Sequence, residues 1–447
     1  MAQFREHQGR PKEKGAVLVL VAILLVVFIG MAALAVDLGY LYVVRNELQN
    51  AADAGALAGA RFLYNEEGTS VNPGANQIAF DAATANNALA AAGAEPVEVH
   101  WSPDVGDGNE GDVQRGHWTF ATRTFTPNDS LLPVELWGVS DEDLDGASEF
   151  INAIRVVTRR ENAPAAAFFS RIFGFQSFAL TAEAVGYIGF AGSLGPGEAD
   201  QPIAICKQAL VDGDGNYNCS TGRMINSGGG TTHNTGAWTN FSQPCQTASA
   251  QSVRPLVCSA GNLESIAMGD GIGTQGGMQD NVYRDLRDCW LGADVSKDWR
   301  GYPTQPWGLT LPVIDCPGNN PGTCSEVVGA VTLDIVWIKQ SGADPQWTDI
   351  PLQMSAGGTS WVCSSWKALG SPEDINALTS AERQECWGEF ADAFGLRTYN
   401  DVSVGTLSAS DLQKTMYFLP SCEVHEPAGN TGGANFGVLA RIPVLVR

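Results

Sequence analysis

The sequence opens with a short polar segment that gives way to a long uninterrupted apolar run. The run extends from Gly15 to Val36 without a charged residue, and Asp37 is the first charge after it. A helix rises about 1.5 Å per residue, so a run of this length reaches about 30 Å, the thickness of a bilayer's hydrocarbon core. The pattern predicts a transmembrane helix over residues 15–36, preceded by a basic cytoplasmic segment over residues 1–14.

The charges that flank the run predict its orientation. Four basic residues lie before it: Arg5, Arg10, Lys12 and Lys14. By the positive-inside rule the N-terminus stays cytoplasmic, and the rest of the chain is exported. We therefore expect a single-pass membrane protein with most of its chain exported. The side chains expected to anchor it in lipid are Ala16, Leu20, Leu24, Val27, Phe28, Met31 and Leu34.

Two cleaved forms compete with a retained anchor. Ala33-Leu34-Ala35 has the small residues that a signal peptidase uses, although the apolar run is longer than a signal core of about 7–15 residues. Gly15-Ala16 resembles a prepilin-peptidase junction, but Leu20 stands where pilin precursors usually carry Glu. A retained anchor is the favoured interpretation, and both cleavages stay open.

The helical pattern continues beyond the apolar run. Residues 37–61 contain no proline and consist largely of good helix formers, so one helix of roughly 45 residues is expected. Small residues recur along it at intervals of four: Ala51, Gly55 and Gly59 beside Ala52, Ala56 and Ala60. Such a face lets a neighbouring element approach closely. The neighbour is either the protein's own sheet or another subunit, and the pattern favours neither.

Alternating and clustered apolar positions after this helix predict an α+β protein. A second helical pattern covers Asn76–Ala92, and strands are expected at Val97–Trp101, His117–Phe125, Ile151–Arg159 and Phe178–Ile188. Residues 37–191 are therefore interpreted as an α+β module of one long helix and an antiparallel sheet. Glycine and proline crowd into Gly192–Gly197, which is typical of a linker. Residues 198–447 then form a second, β-rich domain.

The cysteines support an exported second domain. All of them follow residue 200, and none belongs to a Cys-x-x-Cys pair: Cys206, Cys219, Cys245, Cys258, Cys289, Cys316, Cys324, Cys363, Cys386 and Cys422. An even number of cysteines in an oxidising compartment predicts a disulfide framework and argues against a zinc or redox motif. The spacing leaves the connectivity open.

Composition excludes several classes of function. The chain carries 26 Lys and Arg against 49 Asp and Glu, a net charge of -23, so a nucleic-acid partner is not expected.

Gly271–Gly276 matches the Gly-x-Gly-x-x-Gly pattern but lacks a surrounding βαβ series, so a turn is favoured over a nucleotide site. Asp212–Asn216 begins like a calcium loop, yet Tyr217 and Arg223 stand where Gly and Glu are needed, which favours a hairpin turn. We expect no enzyme and no cofactor.

The N-terminal helix resembles that of Tad pilus-assembly proteins, in particular the TadG-like (TadE/G-like) members. The resemblance covers about residues 14–61 and rests on the apolar run, on Ala35–Tyr42 at its exit and on a Leu-Gln-Asn-Ala-Ala-Asp-Ala signature. The positions singled out on this helix are Asp37, Gly39, Tyr40, Leu48, Gln49, Asn50, Ala51, Ala52, Asp53, Gly55 and Gly59. A weaker likeness to the Tad-like C-terminal module continues over Ala153–Gly189, including the Phe-rich segment Phe168–Phe175.

The resemblance implies a single-pass protein of the bacterial inner membrane, with a pilin-like first module over residues 37–191 and most of the chain in the periplasm. Such a protein assists assembly of Flp-type (type IVb) pili and surface adherence. Its implied partners are other Tad proteins or pilin-like subunits, reached through helix packing and periplasmic contacts. Many relatives also carry an Asp-x-Ser-x-Ser metal site, which is missing from this sequence, so integrin-like metal adhesion is in doubt. Two alternatives remain open: a cell-envelope adhesin or carbohydrate-binding module that uses exposed aromatic residues, and a minor pilin incorporated into the fibre.

Overall fold

The computed structural model describes most of the chain. The described residues are 14–65, 68–132, 136, 139–211, 224–226, 235–276, 280–319, 321–340, 346–398, 401–412, 414–420 and 422–447. Within them the protein has the expected α+β architecture: a long N-terminal helix, an antiparallel sheet module and a disulfide-rich part dominated by strands. The turn predicted at Asp212–Asn216 lies outside the described residues.

Helix α1, Lys14–Arg61, is one uninterrupted helix of 48 residues, slightly longer than the pattern predicts. The second helical segment is shorter than expected, because α2 ends after Ala75–Thr84. The alanine-rich residues that follow form a hairpin of two short strands instead, β1 (Asn87–Ala90) and β2 (Gly93–Pro96). The carbonyl of Ala88 accepts a hydrogen bond from the buried guanidinium of Arg160. This tertiary contact overrides the helix propensity of alanine.

The first sheet has five antiparallel strands. Four of its strands are β3 (Val113–Thr119), β4 (Thr124–Pro127), β5 (Ala153–Ala166) and β6 (Ser177–Phe190). The short helix α3 (Asp141–Gly146) lies between β4 and β5 in the chain. The fifth strand comes from the far end of the chain, and the spatial order is that strand, β6, β5, β3 and β4. Helix α1 packs on this sheet with α2 beside it, and their small side chains form the contact.

The cysteine-rich part is built around a second, larger sheet. Its helices are α4 (Ala250–Val253), α5 (Asp280–Gly292), α6 (Ser364–Ala368) and α7 (Ser380–Ala393). Its strands are β7 (Ser193–Leu194), β8 (Ile203–Cys206), β9 (Met224–Asn226), β10 (Gly236–Thr239), β11 (Ile266–Ala267), β12 (Gly271–Gln275), β13 (Trp307–Ile314), β14 (Cys324–Lys339), β15 (Gln353–Ala356), β16 (Thr359–Val362), β17 (Thr415–Phe418) and β18 (Glu423–Val424).

Five strands of the larger sheet close into a ring. The order is β12, β10, β8, β13 and β14, and β12 pairs again with β14. All of these pairings are antiparallel except β8 with β13. A buried apolar cluster includes residues from every strand of the ring, among them Ala204, Ala237, Ile272, Ile314 and Val327. Closure removes the free edges that these strands would otherwise expose.

Disulfides brace the cysteine-rich part, as the cysteine pattern predicts. The four pairs within the described residues are Cys206–Cys316, Cys245–Cys324, Cys258–Cys289 and Cys363–Cys386. Cys422 is disulfide-bonded as well, whereas Cys219 lies outside the described residues. The first pair joins β8 to the end of β13, and the second joins β14 to the loop before α4, so both staple the ring.

The glycine-rich match at Gly271–Gly276 is explained by this packing. Its first five residues form strand β12 and not the turn that the pattern predicts. A Cβ on Gly271 would collide with Sγ of Cys324 and lie 2.8 Å from Sγ of Cys245. Glycine is therefore needed because a disulfide crosses directly over the strand.

The chain's last strand returns to the first sheet. Strand β19 (Arg441–Leu445) pairs antiparallel with β6, with Arg441 opposite Phe190 and Leu445 opposite Gly186. At the predicted linker, β7 pairs with β11 and both of its residues are buried. The division of the chain into two domains at residues 191 and 198 remains a prediction. The order of the strands along the chain differs from their order in the first sheet, because β19 lies beside β6. The first module is completed by residues that follow the whole cysteine-rich part.

Candidate membrane-interface and helix-packing site

The first half of α1 is bare. Every large apolar side chain from Val17 to Val36 is 45–73% exposed, including the predicted anchors Leu20, Leu24, Val27, Phe28, Met31 and Leu34. The surroundings of Ala16 lie outside the described side chains. A core helix would be covered by its own protein, so this exposure favours lipid as the surrounding medium. Among the described residues α1 is the one helix long and apolar enough to cross a membrane, which indicates single-pass anchoring.

Asp37 marks the point where the helix meets the rest of the protein. It is 2% exposed, and its carboxylate accepts hydrogen bonds from the backbone N–H groups of Phe168, Phe169 and Ser170, at 2.6–3.1 Å. The hydroxyl of Ser170 also donates to it. These groups belong to the connection between β5 and β6, which contains a 3₁₀ turn at Ser170–Phe173. Asp37 therefore fastens the tip of this hairpin to the exit of the apolar run.

Tyr40 reinforces the same junction from one turn further along α1. Its ring meets that of Phe168 edge to face, with 5.0 Å between the ring centroids. Its hydroxyl donates to the carbonyl of Ala90 in β1 at 3.2 Å. The Asp37 and Tyr40 positions of the family motif thus join α1 to two separate hairpins.

The Leu-Gln-Asn-Ala-Ala-Asp-Ala signature docks the helix on the sheet. Leu48, Ala51 and Ala52 are fully buried. The amide of Gln49 donates to Asp53 at 2.8 Å and to the carbonyl of Glu183 in β6 at 3.0 Å. The hydroxyl of Thr158 in β5 donates to the carbonyl of Leu48. Asn50 points away and is exposed.

The small-residue face of α1 is covered within the chain. A Cβ on Gly55 would lie 2.8 Å from the carbonyl oxygen of Ala79 in α2, and one on Gly59 would lie 2.8 Å from the Cδ1 of Ile154 in β5. Both glycines are buried. The small-residue face therefore packs against the protein's own helix α2 and strand β5, and not against another subunit.

A different face of α1 is open. Leu38, Tyr42 and Val43 are 57%, 68% and 45% exposed, and they continue the bare surface of the apolar run past Asp37. A Cβ on Gly39 would meet nothing within 4 Å. These residues form the outward face of α1, defined here as Leu38, Gly39, Tyr42 and Val43. Sequence reasoning placed Gly39 in the family motif but did not separate this face from the buried one.

Glu98 holds the same β5–β6 hairpin at a second place. Its carboxylate accepts hydrogen bonds from the backbone N–H groups of Glu161, Asn162 and Ala163, at 2.8–3.2 Å. These residues lie where the register of β5 with β6 shifts, which leaves their amides without sheet partners. Burial acts to raise the pKa of Glu98, but the three amides and the nearby charge of Arg160 lower it below its ordinary value.

Two features missed by sequence reasoning are thus the capping roles of Asp37 and Glu98. Both depend on amides more than sixty residues away in sequence, so local patterns do not reveal them. The only available signal was an acidic residue directly after the apolar run, where a charge is expected to face water. Among the described residues no group of three or more His, Cys, Asp or Glu is placed to hold a metal ion.

The tryptophans serve mainly as core residues. Trp118, Trp238, Trp290, Trp337 and Trp387 are among the largest fully buried side chains. Of the tryptophans that the structure describes, Trp299 alone is more than about a third exposed, at 43%. No aromatic groove of tryptophans therefore forms on the described surface.

Comparison with known families agrees with the resemblance found in the sequence. Residues 15–61 match the Tad family, described as Flp pilus-assembly TadE/G-like. Residues 58–185 match a second family, described as Tad-like Flp pilus-assembly. The two matches run end to end from the apolar helix to β6. No curated protein and no solved structure matches the chain.

Proposed function

We propose that this chain, which matches Flp pilus-assembly families over residues 15–185, is a membrane-anchored component that assists assembly of Flp-type pili. The N-terminus lies in the cytoplasm and the folded body in the periplasm. The protein acts by binding other Tad proteins or pilin-like subunits, and it catalyses no reaction. The observation that carries the proposal is the match of adjoining segments to two pilus-assembly families. Hydrogen bonds of Asp37 and Tyr40 join these two segments in the structure.

The outward face of α1 is the surface proposed to meet other pilin-like helices. It is apolar, exposed and continuous with the bare segment in the membrane. Gly39 leaves space for a neighbouring backbone to approach, and helices in membranes associate through such small residues. The buried face at Gly55 and Gly59 cannot serve this purpose because α2 and β5 occupy it.

The direct test is deletion of the gene with complementation. Fibres are counted by electron microscopy, and attachment of cells to a surface is measured in parallel. Loss of both, restored by the intact gene, supports the proposal. Unchanged fibres with reduced attachment would favour an adhesin instead. A truncation after Gly192 is a poor variant here, because it removes β19 and leaves the edge of β6 unpaired.

A point variant separates helix packing from folding. Gly39→Leu fills open space on the outward face, whereas Gly292→Leu fills open space at the end of α5, far along the chain. We expect both variants to melt like the wild type and only Gly39→Leu to lose most surface fibres. Equal fibre counts in the two variants would remove the outward face from the mechanism.

The minor-pilin alternative makes a separate prediction. It requires cleavage after Gly15 and recovery of the protein in sheared fibres. Mass spectrometry of the mature N-terminus, together with blotting of sheared fibres, decides between an assembly component that stays in the membrane and a subunit that leaves it.

A further inference from the structure

The tip of the β5–β6 hairpin exposes an unusual amount of apolar surface. Between Ala166 and Ser177, where these strands end, five large apolar side chains are 41–79% exposed: Phe168, Phe169, Ile172, Phe173 and Phe175. Turns at a water-exposed surface are normally built from Gly, Pro, Asn, Asp and Ser. A contiguous apolar patch on a folded protein marks a surface that meets something other than water. We call residues 167–176 the apolar tip.

The position of the apolar tip identifies what it meets. Asp37, the first residue after the apolar run, bonds the amides of Phe168, Phe169 and Ser170. The tip therefore lies level with the membrane exit of α1. Ala33, one helical turn closer to the membrane, is half-buried, while every other described side chain from Leu18 to Val36 is exposed. The turn Ser170–Phe173 contacts α1.

Most backbone amides of the apolar tip donate hydrogen bonds within the protein. Asp37 takes three amides, and Ile172, Gly174 and Phe175 donate to carbonyls within the tip. Ala167 donates to Gln176 across its base. A bilayer offers no water to satisfy free N–H groups, so only a segment with paired amides enters it at low cost.

The side-chain chemistry fits the boundary between lipid headgroups and acyl chains. Aromatic side chains concentrate at this level of a membrane. Arg171 is the one charged residue of the tip and is exposed, so it is available to a lipid phosphate. The apolar tip adjoins the exit of the apolar run through the hydrogen bonds of Asp37 and the contact of Phe168 with Tyr40.

We propose that the apolar tip inserts into the lipid interface of the leaflet from which α1 emerges, as a second, monotopic membrane contact. This inference rests on the proposed membrane anchoring. A single transmembrane helix leaves the folded body free to rotate about the helix axis. The two contacts together therefore fix the orientation of the body on the membrane. Asp37 is the residue that couples them.

The test uses the full-length protein in nanodiscs of phosphatidylethanolamine and phosphatidylglycerol. A photoreactive benzophenone amino acid replaces Phe173, and separate samples carry it at Phe28 and at Leu263. Phe28 lies in the bare half of α1, and Leu263 is exposed in the cysteine-rich part. After irradiation, mass spectrometry measures the fraction of each site joined to lipid. We expect lipid adducts at Phe173 and Phe28 and background at Leu263.

The controls separate the possible failures. Adducts at Phe28 without adducts at Phe173 would overturn the inference and leave the anchor intact. Background at Phe28 as well would contradict membrane anchoring itself. Protein–protein adducts at Phe173 would assign the tip to a second copy or a partner. A further sample carries the label at Phe175 together with the changes Ile172→Asp and Phe173→Asp. We expect these changes to abolish the lipid adduct at Phe175. The melting temperature should not fall, because both replaced side chains are exposed.

Discussion

Gly186 of β6 lies directly against the backbone carbonyl of Ala56 in α1. A Cβ on Gly186 would collide with the carbonyl oxygen, lie 2.6 Å from the carbonyl carbon and lie 3.2 Å from the Cβ of Ala60. The long helix thus rests on the sheet backbone to backbone. Close approach of this kind requires small residues on both sides, and α1 supplies them at Ala56 and Ala60.

We expect Gly186→Ala to destabilise the first module by about 1–3 kcal/mol, because the added methyl forces the helix away from the sheet. Thermal unfolding of the full-length protein in detergent measures the effect. Gly39→Ala is the matched control, since it adds a methyl to open space on α1, the helix that Gly186 contacts. An unchanged melting temperature for Gly186→Ala would show that α1 does not rest on β6 in this way.

Replacing Asp37 should loosen the hairpin tip. Asp37→Ala leaves the amides of Phe168, Phe169 and Ser170 without their buried acceptor, a loss of about 1–3 kcal/mol. We expect hydrogen exchange at these three amides to accelerate, while exchange in the strand ring stays unchanged. Asp81→Ala is the control because Asp81 is exposed on α2. Equal exchange in both variants would argue against the cap.

The carboxylate of Glu98 should make stability depend on pH. Its pKa in the folded protein lies below its ordinary value of 4.5. A carboxylate with a lowered pKa contributes stability that is present above the ordinary pKa and is lost as the pH falls through the folded-state pKa. Unfolding by denaturant, measured from pH 7 to pH 3, should therefore show a steeper loss in the wild type than in Glu98→Gln.

Glu264→Gln is the control for that measurement, since Glu264 is exposed and no strand amide is bonded to it among the described contacts. Its acid profile should follow the wild type. If Glu98→Gln also followed the wild type, the amides of the register shift would have to be satisfied in another way.

The disulfides should differ in their contribution to stability. Cys206–Cys316 spans 110 residues and Cys363–Cys386 spans 23. In the chain-entropy model the longer loop gives about 5 kcal/mol and the shorter about 3 kcal/mol. Replacing both cysteines of each pair by alanine avoids free thiols, and unfolding by denaturant compares the two variants. A larger loss for Cys363 with Cys386 would reverse the expected order.

The sequence predicts most local elements and few of the distant contacts. The strand expected at Val97–Trp101 is only an isolated bridge at Glu98, and the one expected at His117–Phe125 is divided between β3 and β4. A charge-free run of the right length identifies α1, and alternating apolar positions identify β5 and β6, because those signals are local. Residues 85–92 were wrongly assigned to a helix, since helix propensity is a weak predictor even for alanine and the buried Arg160 guanidinium holds β1 instead. Asp37 as a cap, the strand ring and the return of β19 all depend on residues far apart in sequence.

The return of β19 also sets an order of events during synthesis. Strand β6 is complete early, yet its outer neighbour is made only after the whole cysteine-rich part. Until then β6 carries an open edge, which is a template for wrong pairing or for a quality-control protease. A chain that stops before residue 441 therefore lacks the last strand of its first sheet and keeps the edge of β6 open.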